Sequence, residues 1–325
     1  MGTPDFAVPS LEILLKNNFT VCAVVTAPDK PRGRGQQVSF TSVKEFALKH
    51  SIPVLQPDSL KDPLFISQLT ALQPDLFVIV AFRILPKEVY TIPGKGSFNL
   101  HASLLPKYRG AAPINWAVMN GEKESGVTTF FLQDKVDTGN IILQRRVPIT
   151  GEMNAGELHD ALSEIGSKAV LETVQLIENG KTDPKQQDDA VASPAPKIFK
   201  ETCRINWNQP VDTIHNFIRG LSPYPAAWTA HNEKVIKIFK SKKMEREFQV
   251  SGMNNPDAGI IAAGEKQLFI KTADCYLEIL ELQQEGKKRM SAEEFLRGYR
   301  SIYRPTSRHG RWRSGRTSVS RHQSS

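Results

Sequence analysis

Ser97-Phe98-Asn99-Leu100-His101 is the stretch from which the fold of this chain is most readily inferred. It has the composition of a strand, and it leads into the loop 103–110, which contains Pro106, Arg109 and Gly110. Residues two apart on a strand point to the same face, so the Asn99 amide and the His101 imidazole should project together. The stretch therefore predicts a sheet that carries polar side chains where one of its strands ends.

Helix and strand patterns alternate around this stretch, as they do in proteins with a parallel sheet covered by helices. Helical patterns cover residues 10–16, 41–50, 58–72, 85–92, 112–120 and 154–179. Strand patterns cover residues 20–26, 52–55, 75–81, 127–132 and 141–149. We therefore predict an α/β fold, a doubly wound Rossmann-like domain over residues 1–183. Ligands of such sheets bind beyond the C-terminal strand ends, where His101 and Ser103 fall.

Two segments near the N-terminus depart from a simple alternating pattern. A helix follows Gly2-Thr3-Pro4 directly, although a strand usually precedes such a turn, so we expect a truncated first strand with Met1 at its end. Residues 27–40 contain two glycines that flank Arg34, and prolines at 28 and 31. This composition predicts a long mobile loop rather than a regular element.

The second half of the chain has a different pattern. Residues 184–203 are polar and indicate a linker, and residues 204–300 contain short strands separated by turn signals, which predict a small OB-like β-barrel domain. Within this domain, residues 211–219 and 291–299 have helical patterns, with Ser291 as the N-cap of the second helix. Residues 301–325 are rich in Arg and Ser without periodicity, and we predict a disordered tail.

The composition of the chain limits the classes of protein to which it can belong. The 325 residues are 40% hydrophobic and 23% charged, which is typical of a soluble protein, and no apolar run is long enough to span a bilayer. The N-terminus lacks a signal peptide, so a cytoplasmic location is expected. Three cysteines lie far apart, and no nucleotide-binding glycine motif or metal-ligand spacing is present. These absences argue against chemistry that depends on nucleotides or metals.

The net charge of +8 is unevenly distributed, because six arginines and no acidic residue lie in the tail 301–325. Without these six the charge is 8 − 6 = +2, so a polyanionic partner must be argued from local patches. One patch is predicted on and after a single strand: Lys234, Lys237, Lys240, Lys242 and Lys243. A basic face of this kind could follow a polyanionic backbone, but a solvated edge that prevents strand pairing is equally compatible with it.

Three polar residues could take part in catalysis. The Asn99 amide could stabilise a developing oxyanion, the His101 imidazole could exchange a proton near neutral pH, and the Asp137 carboxylate could orient that imidazole. Because no Ser or Cys is placed as a nucleophile, the set suits direct acyl transfer through a tetrahedral intermediate. Each residue alone also has a structural interpretation: a core histidine, or an ordinary Asp-x-Gly turn.

Longer motifs resemble those of a known family. Residues Phe98–Pro106, followed by 109–113 and Asp137-Thr138-Gly139, closely resemble the 10-formyltetrahydrofolate-dependent formyltransferases. The opening Gly2-Thr3-Pro4-Asp5-Phe6 and the loop 28–35 resemble the branch whose acceptor is methionyl-initiator tRNA. The resemblance runs from Met1 to about Tyr299 and includes the second domain. The Arg-rich tail and the missing first strand depart from it.

This resemblance implies a reaction and its residues. The formyl group of 10-formyltetrahydrofolate, a donor co-substrate, would pass to the α-amino group of methionyl-initiator tRNA, giving the N-formylmethionyl-tRNA used in translation initiation. No metal is implied, and a monomer is expected. The residues implied are Asn99, His101 and Asp137 for catalysis, Ser103, Leu104, Leu105 and Pro106 for folate, and Arg34 with the second domain's Lys234, Lys237 and Lys240 for tRNA.

Two alternatives remain open at the level of sequence. The same catalytic residues could formylate a small amine, such as an amino sugar or glycinamide ribonucleotide. Alternatively, the chain could be a catalytically inactive RNA-binding protein that lacks its first strand. The Arg34 loop and the basic second domain favour the tRNA acceptor over the small amine.

Overall fold

The computed structural model describes most of the chain: residues 1–32, 37–231, 233–244, 257–259, 261–263, 266–298, 304–306 and 311–313. It divides into two compact units. The first unit comprises residues 1–117, 122–151 and 157–197, and the second comprises residues 118–121, 152–156 and 198–325. The first unit therefore extends beyond the predicted 1–183 and includes much of the predicted linker.

Six helices and ten strands lie in the described residues up to Lys197. The helices are α1 (Val8–Lys16), α2 (Ser42–Lys49), α3 (Pro63–Ala71), α4 (Lys87–Tyr90), α5 (Pro113–Met119) and α6 (Ala155–Glu178). The strands are β1 (Val24–Val25), β2 (Lys30–Arg32), β3 (Gln37–Ser39), β4 (Val54–Leu55), β5 (Phe77–Val80), β6 (Ser97–His101), β7 (Arg109–Gly110), β8 (Glu124–Phe131), β9 (Ile141–Pro148) and β10 (Pro194–Ala195). Short 3-10 turns cover Asp5–Ala7 and Asp189–Val191.

The main sheet is mixed. β1 pairs in parallel with β4, and β5 pairs in parallel with β6, whereas β8 and β9 continue the sheet antiparallel. Met1 and Gly2 join the two parts, because the Gly2 amide donates to the Val25 carbonyl at 3.0 Å and the Val80 amide donates to the Met1 carbonyl at 2.9 Å. The Rossmann-like α/β fold is confirmed, and His101 ends a strand that has parallel neighbours on one side only.

The predicted strand 20–26 is wrong in length, since only Val24 and Val25 form a strand. Residues 20–23 lie beside a cavity of about 620 Å³ rather than beside a paired strand. Met1 and Gly2 lie between β1 and β5, and both residues also line this cavity. In the part of the chain that the structure describes, the ladder of β1 with β4 begins only at Val24.

The prediction of a loop without regular structure over residues 27–40 is also wrong in part. β2 and β3 pair antiparallel, with Lys30 opposite Ser39 and Arg32 opposite Gln37. Residues 33–36, which include Arg34, lie outside the described residues. The base of this hairpin is fixed by Lys44, which bonds to the Asp29 carboxylate and, at 2.7 Å, to the Gln56 amide oxygen.

Burial explains why β6 is central to the first unit. Phe98 and Leu100 alternate with Asn99 and His101, and both apolar side chains are buried. Leu100 packs against Gly166 of α6, where an added Cβ would lie 2.8 Å from its Cδ2 atom. Because alternate strand residues face opposite sides, this packing turns Asn99 and His101 away from α6.

The second unit is the small antiparallel β domain that the sequence predicts. Its helices are α7 (Val211–Leu221) and α8 (Ala292–Arg297), and its strands are β11 (Ala227–His231), β12 (Lys234–Lys243), β13 (Ile261–Ala263), β14 (Leu268–Lys271), β15 (Tyr276–Gln284) and β16 (Met290–Ser291). The sheet runs in the order β11-β12-β15-β14-β13, with β16 beside β15. α7 packs on it through Ile214 and Ile218, and Ser291 and Glu294 form the expected capping box of α8.

Within the predicted disordered tail the structure describes only two short strands, β17 (Arg304–Thr306) and β18 (Arg311–Arg313), which pair antiparallel. The disorder of the tail stays a prediction. Among the described residues, none of the helices combines the length and the apolar character needed to cross a bilayer.

Candidate active site

His101 is fixed by the loop that follows its strand. Its Nε2 atom lies 2.8 Å from the backbone carbonyl oxygen of Tyr108, whose φ of +62° places it in the left-handed region. A carbonyl can only accept a hydrogen bond, so Nε2 must carry the proton. The neutral ring then has its lone pair on Nδ1, and Nδ1 is the atom that can take up a proton.

Asp137 lies next to that atom. Its Oδ2 is 3.9 Å from Nδ1 of His101, and the two side chains are only 10% and 7% exposed, respectively. The same oxygen accepts a hydrogen bond of 2.9 Å from the Gly110 amide. The distance to His101 is too long for a direct hydrogen bond but short enough for the carboxylate to stabilise a protonated ring in a site of low exposure.

Asn99 is half-buried on the face of β6 that it shares with His101. Among the described residues, its side-chain amide has no hydrogen-bond partner. Since most buried polar groups in folded proteins are paired, a partly accessible amide left without a partner at the end of a strand is available to a ligand. The amide can therefore donate to an oxyanion, which is the role expected from the sequence.

Two glycines give the Asp137 turn its shape. An added Cβ at Gly139 would lie 1.7 Å from the Phe131 carbonyl oxygen, so only glycine fits there. Gly110 has a φ of +124°, and a Cβ there would meet the Ala195 carbonyl oxygen at 2.7 Å. The Asp-x-Gly motif is therefore more than a simple turn, because Gly139 lets the chain that enters β9 approach the end of β8 closely. This approach brings the Asp137 carboxylate to His101.

The described residues contain no group of three or more His, Cys, Asp or Glu side chains arranged to bind a metal ion. The site can instead offer an amide donor, an imidazole with a defined proton acceptor, and a carboxylate. These groups are suited to acyl transfer by direct attack.

Comparison with known families identifies the chain. Residues 1–174 match the family model described as formyl transferase, and residues 197–300 match the model of the formyl transferase C-terminal domain. The chain belongs to the formyl transferase family. Members of this family use formyl-tetrahydrofolate as the donor of the formyl group.

Relatives of this formyl transferase match it over nearly its whole length. A methionyl-tRNA formyltransferase of Bacteroides thetaiotaomicron is 49% identical over 309 residues, covering 92% of this chain and 94% of the relative. One of Chlorobium luteolum is 50% identical over 303 residues, covering 92% and 96%. A solved N-formyltransferase of Helicobacter canadensis, in complex with folinic acid and dTDP-3-aminofucose, has a TM-score of 0.63 and 25% identity, covering 89% of this chain and 97% of that one.

The four residues predicted to contact folate in this formyl transferase differ in how accessible their side chains are to a ligand. Ser103 is fully buried, and its hydroxyl donates to the Lys107 carbonyl at 2.6 Å, so it shapes the loop. Leu105 is buried as well, and its amide donates to the Thr128 hydroxyl at 3.1 Å. Leu104 and Pro106 are partly exposed and can touch a ligand. Folate binding by this loop stays a prediction, and it depends mainly on Leu104 and Pro106.

The predicted tRNA-binding lysines of the formyl transferase lie on β12. Lys234 and Lys240 are exposed, and Lys237 is half-buried. Lys240 lies opposite Glu281 of β15, whereas Lys237 lies opposite Gln283. The Glu281 carboxylate is itself bonded to Arg289, so it is not free to neutralise Lys240. Positive side chains therefore lie along this strand at Lys234, Lys237 and Lys240.

Sequence reasoning missed the residues that support the Asp137 turn of this formyl transferase. Gln187 and Ser193, in the predicted linker, hydrogen-bond to the residues that surround His101. Arg109 bonds to Gln187 and to Asp189, with 2.7 Å between Nη2 and the Asp189 carboxylate. The polar run 186–189 has no periodicity, and nothing in the sequence separates buried Gln187 from exposed Gln186.

Proposed function

We propose that the chain transfers the formyl group of 10-formyltetrahydrofolate to the α-amino group of methionyl-initiator tRNA. The main support is the identity of about one half to methionyl-tRNA formyltransferases, which spans both domains rather than the catalytic domain alone. The geometry of Asn99, His101 and Asp137 agrees with the chemistry that this reaction needs.

In the proposed mechanism the neutral amine attacks the formyl carbon directly. A new C–N bond forms, the carbonyl electrons move to oxygen, and the Asn99 amide donates a hydrogen bond to that oxyanion. Nδ1 of His101 takes the proton that the attacking nitrogen loses, and Asp137 stabilises the imidazolium. Collapse of the intermediate breaks the bond to N10 of the folate, which receives the proton from His101. The products are N-formylmethionyl-tRNA and tetrahydrofolate.

Apolar surface at the described edge of the sheet supports binding of the donor there. Leu104 and Pro106 offer partly exposed apolar surface next to the polar residues, and the half-exposed Val136 lies one residue before Asp137. A site that combines apolar walls with a few polar groups is typical for a small aromatic co-substrate. We propose that the pterin end of the folate lies against this surface, with its formyl group toward Asn99.

The tRNA is proposed to contact the Arg34 loop and the β12 lysines of the second domain. A backbone of phosphates is recognised largely through Lys and Arg, and the exposed Lys234 and the partly exposed Lys237 provide such groups. Arg34 lies outside the described residues, so its part in tRNA binding rests on the sequence resemblance. A monomeric state and a cytoplasmic location also stay predictions.

A small-amine acceptor is the second candidate, because the Helicobacter canadensis structure was solved with dTDP-3-aminofucose. The deciding experiment offers the purified protein 10-formyltetrahydrofolate with either methionyl-initiator tRNA or a panel of amino sugars and glycinamide ribonucleotide. We expect formylation of the tRNA only. Transfer to a small amine without transfer to tRNA would contradict the proposal. Binding of tRNA without turnover on any acceptor would favour the inactive RNA-binding protein.

A further inference from the structure

The segment 187–195, which we call the strap, is a continuous part of the active-site architecture although its composition is that of a linker. Gln187 is only 7% exposed, and Ala195 is fully buried. β10, at the end of the strap, pairs in parallel with β7, which places Ala195 opposite Gly110. The strap therefore lies along the loop that follows His101.

Gln187 makes the contacts that link the strap to Asp137. Its Nε2 atom donates to the Asp137 carbonyl at 2.9 Å and to the Gly139 carbonyl at 2.8 Å. Its Oε1 atom accepts from Nε and Nη2 of Arg109 at 3.1 and 2.8 Å. Carbonyls only accept and a guanidinium only donates, so the amide has a single possible orientation and both of its donors are used.

The turn that Gln187 grips is conformationally demanding. Asp137 has a φ of +55°, which is uncommon for a residue other than glycine. Left-handed backbone of this kind persists when surrounding contacts determine it. The two carbonyls bound by Gln187 belong to Asp137 itself and to the residue two positions later, so the amide spans this part of the turn.

The strap also binds the loop that follows His101. The Ser193 hydroxyl accepts from the Tyr108 amide at 2.9 Å, and the Ser193 carbonyl accepts from the Arg109 amide at 2.9 Å. Tyr108 is the residue whose carbonyl fixes the His101 ring. The strap thus binds the backbone of Asp137 directly and reaches His101 through Tyr108.

We propose that Gln187 is a positioning residue for formyl transfer, because its amide fixes the backbone that carries the Asp137 carboxylate to Nδ1 of His101. This inference rests on the proposed function. A displacement of about 1 Å in a catalytic group can reduce turnover about 100-fold. Replacing Gln187 should therefore lower kcat much more than it raises KM, since the Gln187 side chain is buried and its amide is used entirely by protein groups.

The experiment compares Gln187 with its neighbour Gln186, which is exposed and makes no hydrogen bond within the described residues. Gln187→Leu removes every hydrogen bond of the amide, whereas Gln187→Glu keeps an acceptor for Arg109 but has neither donor. Gln186→Leu and Gln186→Glu are the matched controls. We expect kcat to fall about 10- to 100-fold in both Gln187 variants. Both KM values should change less than about threefold, and both controls should keep the wild-type kcat.

A double variant tests whether the effect passes through Asp137. If Gln187 acts by placing that carboxylate, Asp137→Asn with Gln187→Leu should be no slower than Asp137→Asn alone. Multiplied losses in the double variant would overturn the inference, as would a Gln187→Glu variant that matches Gln186→Glu. If Gln187→Leu does not fold, the near-isosteric Gln187→Glu decides the question by the same comparison.

A readout independent of turnover separates this inference from the proposed function. The Gly110 amide is held by the Asp137 carboxylate, so its hydrogen exchange reports whether that carboxylate is in place. We expect exchange at Gly110 to be at least about tenfold faster in Gln187→Leu than in Gln186→Leu. Unchanged exchange would overturn the positioning role even if methionyl-tRNA is a substrate. A wild-type protein that does not formylate methionyl-tRNA would refute the proposed function and leave the exchange comparison to decide the inference.

Discussion

The Tyr108 carbonyl determines which nitrogen of His101 can act as a base. Because Nε2 donates to that carbonyl, proton uptake is assigned to Nδ1, the atom that faces Asp137. The ring is oriented before any substrate binds, so little reorganisation is needed at the moment of reaction. A histidine at the end of a strand becomes a defined proton acceptor through one backbone contact.

Replacing Asn99 tests the oxyanion role. Asn99→Ala should lower kcat about 100- to 1,000-fold, as removal of an oxyanion donor does elsewhere. Because the amide has no partner among the described residues, the free energy of unfolding should change by less than about 0.5 kcal/mol. Steady-state formylation and chemical denaturation measure the two quantities. Asn179→Ala, at the exposed end of α6, is the control, and an Asn99→Ala enzyme as active as this control would refute the assignment.

His101 can be tested without removing its structural contact. His101→Ala should abolish transfer, but it also removes the hydrogen bond from the His101 ring to the buried Tyr108 carbonyl. His101→Gln offers an amide donor to that carbonyl and no base, so turnover should fall about 100- to 10,000-fold with a smaller loss of stability. Substantial turnover by His101→Gln would show that the proton goes elsewhere.

Some of these residue roles can be predicted from the sequence pattern, and others cannot. Asn99 and His101 are predictable, because a period of two on a strand places both on one face. The buried state of the Ser103 hydroxyl and the role of Gln187 are not predictable, since both depend on contacts with segments distant in sequence. Gln186 and Gln187 are chemically identical, and only tertiary packing separates them.

At the level of elements, the turn between β8 and β9 depends on Gly139. Gly139→Ala places a Cβ 1.7 Å from the Phe131 carbonyl oxygen, so the two strands must separate. We expect a loss of more than about 2 kcal/mol in the free energy of unfolding, which thermal or urea denaturation can measure. Gly94→Ala is the control, because nothing lies within 4 Å of an added Cβ there. Equal stability of the two variants would contradict the described approach.

The base of the β2–β3 hairpin should respond to pH. The Lys44 ammonium, with help from the Gln56 amide, lowers the pKa of the Asp29 carboxyl. A lowered pKa in the folded state means that the ionised carboxylate stabilises the fold above its unfolded pKa, and that this contribution is lost as pH falls through the folded pKa. The difference in stability between wild type and Asp29→Asn should therefore shrink on acidification from about pH 6 to about pH 3.

The control for this prediction removes the cause of the shift. In a Lys44→Met background, Asp29→Asn should have a much smaller pH-dependent effect, since the ammonium is gone. An identical pH dependence in both backgrounds would show that Lys44 is not responsible. Urea denaturation at a series of pH values supplies the free energies of unfolding.

The limits of several elements follow from contacts that a single sequence does not display. The helix predicted over 58–72 begins only at Pro63, because the Asp62 side chain caps it and proline favours the first helical turn. The strand predicted over 20–26 is short because, among the described residues, its ladder with β4 covers only Val24 and Val25. β2 and β3 were missed because a run rich in Pro and Gly resembles a loop even where its ends pair.

For the whole molecule, charge alone gives little information about the partner. Much of the net charge of +8 lies in the tail, so association with tRNA should depend on local lysines rather than on total charge. The β12 strand offers such lysines, and its neighbour β15 offers acids that partly oppose them. The distribution of charge could not be predicted from β12 alone, since the strand register decides which lysine faces an acid.

Charge reversal on β12 tests this distribution. Lys234→Glu with Lys237→Glu should raise KM for methionyl-tRNA while leaving kcat and the KM for the folate nearly unchanged. The dependence of log affinity on log salt should weaken by roughly 0.7 to 0.9 for each phosphate that the variant no longer neutralises. Lys240→Glu tests the third predicted lysine of this strand, and we expect it to raise the KM for methionyl-tRNA as well. An unchanged KM for methionyl-tRNA in these variants would contradict the proposed contact.

The parallel pairing of β10 with β7 has a consequence for exchanging domains between relatives. Pro194 and Ala195 match Arg109 and Gly110 residue by residue, and Gln187 and Ser193 lie at set distances before them along the chain. One inserted or deleted residue between 187 and 195 would break this register and disconnect one end of the strap from the catalytic loop. A chimaera that receives a foreign second domain should therefore be joined after Lys197, although composition alone would place the junction near residue 184.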